Sequence, residues 1–381
     1  MKRKADIFLI VVFVLFITCP YLLAHRDREG RISDMENRTL AAYPSIQWGE
    51  GRRYNDYILD FENWLNDNLR GRTLMMEVNA TLQYALFDRI VKTDALLGQE
   101  KWLFVNDDDM IREYQRLNLL GRESLEQYAE NMQGIAEYLR EKGIAFYYFQ
   151  CYSKEEIYPE MYAPGIIQVG GKTSRADQIV GILQEKTDIS QILVKEDLLA
   201  HKDEGIYYQF VDSLHWNEKG SYYGYQVLMN QLHDDFPEIP VLQEEDFLVK
   251  EEKTTVSLYG LDYPYTEICP IYTLADPHAV EITQDTQERW DFLHFKEHTH
   301  EYVNEECTNN LKILMLGDSF IRMFLKDDIA ESFHGTLSID WLNIPILDEI
   351  VEEYHPDIVI IESAQSALDS TIELVGETEL E

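Results

Sequence analysis

Apolar and polar positions along this chain change period several times, and each change marks an element. From Tyr54 to about Phe87, aromatic and aliphatic residues (Tyr57, Phe61, Trp64, Leu65) recur every three or four positions, which predicts helix. Leu125 to Lys142 keeps that period and stops at Gly143, a residue suited to a carboxyl cap. Ile144 to Phe149 follows as a strand, and Trp102-Leu103-Phe104-Val105 reads as a shorter one. Helix and strand joined by a short loop is the mark of an α/β protein. Ser174 to about Glu185 and Tyr222 to Leu232 read as further helices, with a short element at Leu193–Leu199 between them. Between Pro237 and Asn310 the helical period is lost; the stretch is acidic with β-like runs such as Thr254–Tyr259, and reads as a β-rich insertion. The core resumes with the apolar runs ending at Gly317 and at Ile361, both expected to be buried strands.

The amino terminus departs from this alternation. Lys2, Arg3 and Lys4 precede an apolar segment, Ile7 to Leu23, interrupted by Thr18 and Pro20. Basic residues resist translocation, so the rest of the chain is expected outside the cell, behind a single-pass signal-anchor. A cleaved signal peptide competes with this reading, but Leu22-Leu23-Ala24-His25 lacks a small-x-small cleavage site. The expected organisation is an anchor over residues 1–24, an extracytoplasmic linker and helix over 25–91, and an α/β domain over 92–381 with its insertion at about 237–310.

Composition then narrows the function classes. A net charge of −37 repels nucleic acid, whose phosphates are held by lysine and arginine. With 45% apolar and 12% aromatic residues the chain is a folded one. Of the four cysteines, Cys269 and Cys307 flank one region, and a disulfide between them is one arrangement left open. No Cys-x-x-Cys pair points to zinc, and His294, His298 and His300 read as exposed loop histidines. No cofactor motif stands out.

The candidate chemistry lies in two segments. Lys312-Ile313-Leu314-Met315-Leu316-Gly317-Asp318-Ser319 is an apolar strand that stops at Gly-Asp-Ser, placing Ser319 at the carboxyl end, where open α/β sheets keep reactive groups. Asp212-Ser213-Leu214-His215-Trp216-Asn217 offers a base, with an acid three positions before it to hold the imidazole in one tautomer. Ser319 as nucleophile, His215 as base and Asp212 as its orienter sketch a triad for acyl transfer.

With these motifs stand Glu36-Asn37-Arg38-x-Leu40, Trp102-Leu103-Phe104, Cys151-Tyr152-Ser153-Lys154 and Ser174-Arg175-x-Asp177. Together they resemble the SGNH-hydrolase-like O-acetyltransferases of exopolysaccharide synthesis, the alginate O-acetyltransferase (AlgX/AlgJ-like) group and its DHHW relatives. The acid–histidine block precedes the serine block, an order permuted relative to ordinary SGNH esterases. Two departures stand out: the family spaces its acid one residue from the histidine where this chain leaves two, and Gln365-Ser366 occupies the family's Glu-Arg pair. The resemblance implies a flavodoxin-like SGNH core of permuted block order and an acetyl group moved onto a cell-surface polysaccharide. It also implies a membrane-bound O-acyltransferase partner supplying that group. The backbone N–H of Ser319 is expected in the oxyanion hole, with Asn217 and Gln365 as candidates for a second donor. An esterase or deacetylase with the same triad, and a catalytically silent polysaccharide-binding scaffold, are the alternatives.

Overall fold

The computed structural model describes residues 7–15, 18, 24, 32–33, 38–44, 54–87, 95–258 and 261–380. The chain forms two compact units, residues 1–93 with 257–264 and residues 94–256 with 265–381.

In the first unit the long helical period divides in two, Tyr54–Asn68 and Arg72–Phe87. The break falls at Gly71, whose φ of +76° suits a residue without Cβ. Trp64 is fully buried, with the Tyr43 ring edge-on at 4.8 Å. Asp67 and Asn68 fasten the chain at Ala41, Asp67 accepting its N–H at 2.8 Å and the Asn68 amide donating to its carbonyl at 3.2 Å. Residues 7–15 are helical and exposed, and positions 1–6, 16–17 and 19–23 of the expected anchor fall outside the described residues. Among the described residues no helix is long and apolar enough to cross a membrane.

The second unit is built on a seven-stranded sheet. Numbered along the chain, its strands are β1 (Ala145–Cys151), β2 (Ser190–Leu193), β3 (Val280–Glu281), β4 (His300–Val303), β5 (Lys312–Gly317), β6 (Gly335–Asp340) and β7 (Ile358–Ala364). Their spatial order is β2-β1-β7-β5-β6-β4-β3. From β2 to β6 all neighbours pair parallel, whereas β4 and β3 are antiparallel additions at one edge. Every residue of β6 and β7 is buried, as expected of strands covered on both faces.

Counting strands from β5 instead of from the amino terminus turns the parallel order into 2-1-3-4-5, the flavodoxin-like order. The permutation expected from the block order is therefore present in the sheet. Its switch point lies between β5 and β7, and ligands in such folds bind outside the carboxyl ends of the strands there.

Three sequence expectations need correction. The stretch 237–310 is not wholly an insertion: Phe247–Leu258 and Leu261–Leu274 pair as a hairpin, but β3 and β4 extend the core sheet, β4 pairing with β6. Strand β6 itself went unread, because Gly335-Thr336-Leu337-Ser338 mixes small and polar residues into a buried run. His298 and His300 are not loose loop side chains. His298 Nδ1 lies 2.7 Å from Asp340 Oδ2, and His300 Nδ1 lies 2.8 Å from Glu281 Oε1. The charges and edge pairing that order them come from strands distant in sequence.

Candidate active site

The apolar run of β5 ends at Gly317, where the backbone approaches β7 closely. A Cβ on Gly317 would lie 2.9 Å from Ile321 Cδ1 and 3.0 Å from Glu362 Oε2, so any side chain there meets its neighbours. Asp318 then caps the short Ser319–Phe324 helix, its carboxylate accepting the Phe320 N–H at 2.8 Å. The Asp318 N–H donates to Glu362 Oε2 at 2.8 Å. With Phe320 and Ile321 buried beneath it, the helix presents Ser319 at the switch point.

The histidine arrives from the loop before the Glu218–Asp235 helix. His215 Nε2 lies 2.7 Å from Ser319 Oγ, and His215 Nδ1 lies 2.8 Å from Asp212 Oδ2. The second Asp212 oxygen accepts the N–H groups of Leu214 at 2.6 Å and His215 at 2.8 Å, folding the Asp-x-x-His segment into one tight turn. Two intervening residues thus bring the acid to the ring, and the departure from the family's spacing does not separate them. Burial alone would raise the Asp212 carboxyl. The hydrogen bond and charge of His215, with the two backbone N–H groups, outweigh it and hold the carboxyl well below the usual range.

Trp216 fixes the imidazole relative to the serine helix. Its ring is fully buried, meets the Phe320 ring edge-on at 5.0 Å, and lies across Gly224, where a Cβ would come within 2.8 Å of it. His215 packs 4.9 Å from the same Phe320 ring. Phe320 therefore touches both His215 and Trp216 from the helix that carries Ser319.

Asn217 and Gln365 each make hydrogen bonds within the fold. Asn217 caps its own helix, accepting from Lys219 and Gly220 at 3.0 and 3.1 Å, while its amide donates to the Gly205 carbonyl at 2.7 Å. Gln365 follows β7 but donates to Glu113 Oε1 at 3.2 Å. Both amide N–H groups are engaged with the fold, because each residue sits at an element boundary with backbone or carboxylate partners at hand.

Two contributors escaped the sequence reading. Lys154 is fully buried, and its ammonium donates to the Leu103 carbonyl at 2.9 Å and to the Asp212 carbonyl. Burial pushes this ammonium down to about 8, against the pull of Asp212, Glu267 and Glu155. Glu267 accepts three consecutive backbone N–H groups, from Gln209 (2.6 Å), Phe210 (3.0 Å) and Val211 (3.2 Å), and so pins the chain just before Asp212. The resemblance had singled out Cys151–Lys154 as a motif, but no pattern linked it to Asp212. Glu267 carried no signal at all. Cys151, Cys269 and Cys307 are free thiols, and among the described residues no cluster of side chains suited to a metal occurs.

Residues 95–261 match the model of the SGNH hydrolase-like domain of acetyltransferase AlgX. This stretch of the chain is similar to an SGNH hydrolase-like domain of the AlgX type. The match spans Asp212 and His215 and ends before Ser319, which the permuted sheet places beside them. The SGNH-like fold recurs in solved structures. PatB1 of Bacillus cereus superposes with a TM-score of 0.54 at 17% identity, covering 72% of this chain and 96% of that one. PatB1 bearing a sulfonyl adduct gives 0.53 at 16%, covering 72% and 97%. A DHHW family protein from Eubacterium siraeum gives 0.51 at 15%, covering 75% and 99%. No curated protein sequence matched the chain.

Proposed function

We propose that this protein is an extracytoplasmic O-acetyltransferase that moves an acetyl group onto a sugar hydroxyl of a cell-surface polysaccharide. The observation that carries the reading is the continuous hydrogen-bonded line from Asp212 through His215 to Ser319 Oγ, with heavy-atom separations of 2.8 and 2.7 Å. His215, its Nδ1–H directed at Asp212, offers the Nε2 lone pair to the serine proton. Ser319 attacks the acetyl donor, the donor's alcohol or thiol leaves with that proton, and an acyl-serine remains. A sugar hydroxyl, deprotonated by the same nitrogen, then takes the acetyl group and restores the serine. The Ser319 N–H, first in its helix, has no carbonyl of its own turn to bond and serves as one oxyanion donor.

The half-buried rings of Tyr208 and Phe324, 6.4 Å apart and with Phe324 5.7 Å from His215, give an apolar face beside the serine on which a sugar ring can lie. Acetyl-CoA is cytosolic. A transferase outside the membrane therefore takes its donor from a partner that carries acetyl groups across, a membrane-bound O-acyltransferase. The basic Lys2–Lys4 and the apolar stretch behind them support anchoring with the SGNH-like domain outside.

The deciding assay supplies an acetyl-ester donor with and without oligosaccharide acceptors. Acetylated sugar formed by wild type and lost in Ser319→Ala supports the transferase. Free acetate released at one rate whatever the acceptor would make it an esterase, and equal turnover by both proteins would leave a silent scaffold. A reporter fused after Glu381 tests topology, since activity of a cytoplasm-dependent reporter alone would overturn the extracytoplasmic assignment.

A further inference from the structure

Behind Ser319, on the strand across the switch point, sits an acid that the proposed reaction does not use. Glu362 lies on β7, is 1% exposed, and faces the turn between β5 and the serine helix. One of its oxygens, Oε2, accepts the Asp318 N–H at 2.8 Å and is the atom against which any side chain at position 317 would press. The other, Oε1, is buried with no hydrogen-bond partner of normal geometry among the described residues, the Cys151 thiol acting on the carboxyl as a weak donor. Among the described residues no cation forms an ion pair with this group. The ionisable side chains facing it are Asp318 from the end of β5, with Cys151 and Tyr148 from β1. His215 and Arg322 act on Asp318 instead.

A carboxylate with one oxygen sealed away from water and met only by a weak thiol donor is costly, whereas a carboxylic acid in the same place costs far less. Burial, with the neighbouring Asp318 carboxyl adding to it, pushes Glu362 well above the usual range. Asp318 must meanwhile accept the Phe320 N–H to cap the helix that begins at Ser319.

We infer that Glu362 is a positioning residue, an un-ionised acid that braces the Gly317–Asp318 turn and thereby keeps Ser319 Oγ in line with His215. The inference rests on the proposed role of Ser319. When Glu362 loses its proton, two carboxylates face one another in a water-free site, the turn loosens, and Ser319 leaves the reach of Nε2. Glutamine is the discriminating replacement, because it keeps the shape and the acceptor for the Asp318 N–H but cannot ionise.

The test measures two Ser319-dependent reactions of the full-length protein from about pH 6 to about pH 10. One is acetyl-ester turnover. The other is sulfonylation by phenylmethylsulfonyl fluoride, in which the serine oxygen displaces fluoride and the adduct is read by intact mass. Ser319→Ala is the control. Glu362→Gln is expected within a few-fold of wild type near neutrality but lacking its alkaline fall. Glu362→Ala is expected to lose about 10²-fold in kcat with KM little changed, the scale of a small misplacement at a reacting centre. If Glu362→Ala does not fold, the comparison of wild type with glutamine still decides. Identical alkaline limbs, or a glutamine variant as slow as alanine, overturn the inference while leaving Ser319 in its role. Wild type that is not labelled at Ser319 overturns both.

Discussion

His215 Nε2 and Ser319 Oγ stand 2.7 Å apart although 104 positions separate the two residues in the chain. Asp212 holds the far side of the ring, and in the proposed reaction the three groups act through one proton path. Ser319→Ala and His215→Ala should each lower turnover by several orders of magnitude, and the double variant should be about as slow as either single one, because the residues work as a unit. Thermal midpoints should stay close to wild type for Ser319→Ala. Steady-state kinetics of the three variants check this, and additive losses would separate the serine from the histidine.

Asp212 does two jobs that asparagine divides. An amide at this position still accepts the Leu214 and His215 N–H groups through its oxygen, so the turn is kept. Its NH₂ then faces His215 Nδ1, forcing the ring into the tautomer with hydrogen on Nε2, which cannot take the serine proton. Asp212→Asn should lose about 10⁴-fold in kcat while keeping the turn, and at neutral pH should lose only the stability that the carboxylate charge supplies. Asp212→Ala should lose activity and also about 1 kcal/mol of stability with the turn's hydrogen bonds.

The depressed Asp212 carboxyl also sets a pH dependence. Its folded value lies below its unfolded one, so its stabilisation is complete above the ordinary carboxylate range and is lost as pH falls toward the folded value. Thermal denaturation of wild type and Asp212→Asn should therefore converge on acidification below about pH 4. A gap that widens on acidification would contradict the assignment.

Lys154 gives the opposite slope at the alkaline end. Burial lowers its ammonium from 10.5 to about 8, so between those values the unfolded chain holds a proton that the folded chain has released. Stability contributed by Lys154 then rises with pH across that window. Lys154→Met removes the donors to Leu103 and Asp212 and should cost about 1–3 kcal/mol, with a fall in kcat as the Asp212 loop shifts. The difference in thermal midpoint between wild type and Lys154→Met should grow from pH 8 toward 10.5.

Gly224→Ala tests the mechanical link through Trp216. The added methyl meets the indole at 2.8 Å, and that ring leans on Phe320 of the serine helix. Overpacking of this kind should cost about 1–3 kcal/mol and lower kcat as His215 is pushed from Ser319. Unchanged kinetics and stability would mean that the ring shifts freely.

What the chain determines by itself is local. The apolar run stopping at Gly317, the helix ending before Gly143 and the helix beginning after Ser174 each depend on residues a few positions apart, and each stands where the periodicity placed it. Ser319, His215 and Asp212 were legible for the same reason, since a nucleophile at a strand end and an acid three residues before a histidine are short-range patterns. The tertiary structure decided what depends on neighbours far along the chain. It joined β3 and β4 to the sheet edge, tied the Asn217 and Gln365 amides to Gly205 and Glu113, and brought Lys154, Glu267 and Glu362 to support the Asp212 and Ser319 segments. A buried lysine or glutamate reads in sequence as an ordinary surface charge. Only the packing of strands from three parts of the chain removes its water and leaves it a backbone group to hold.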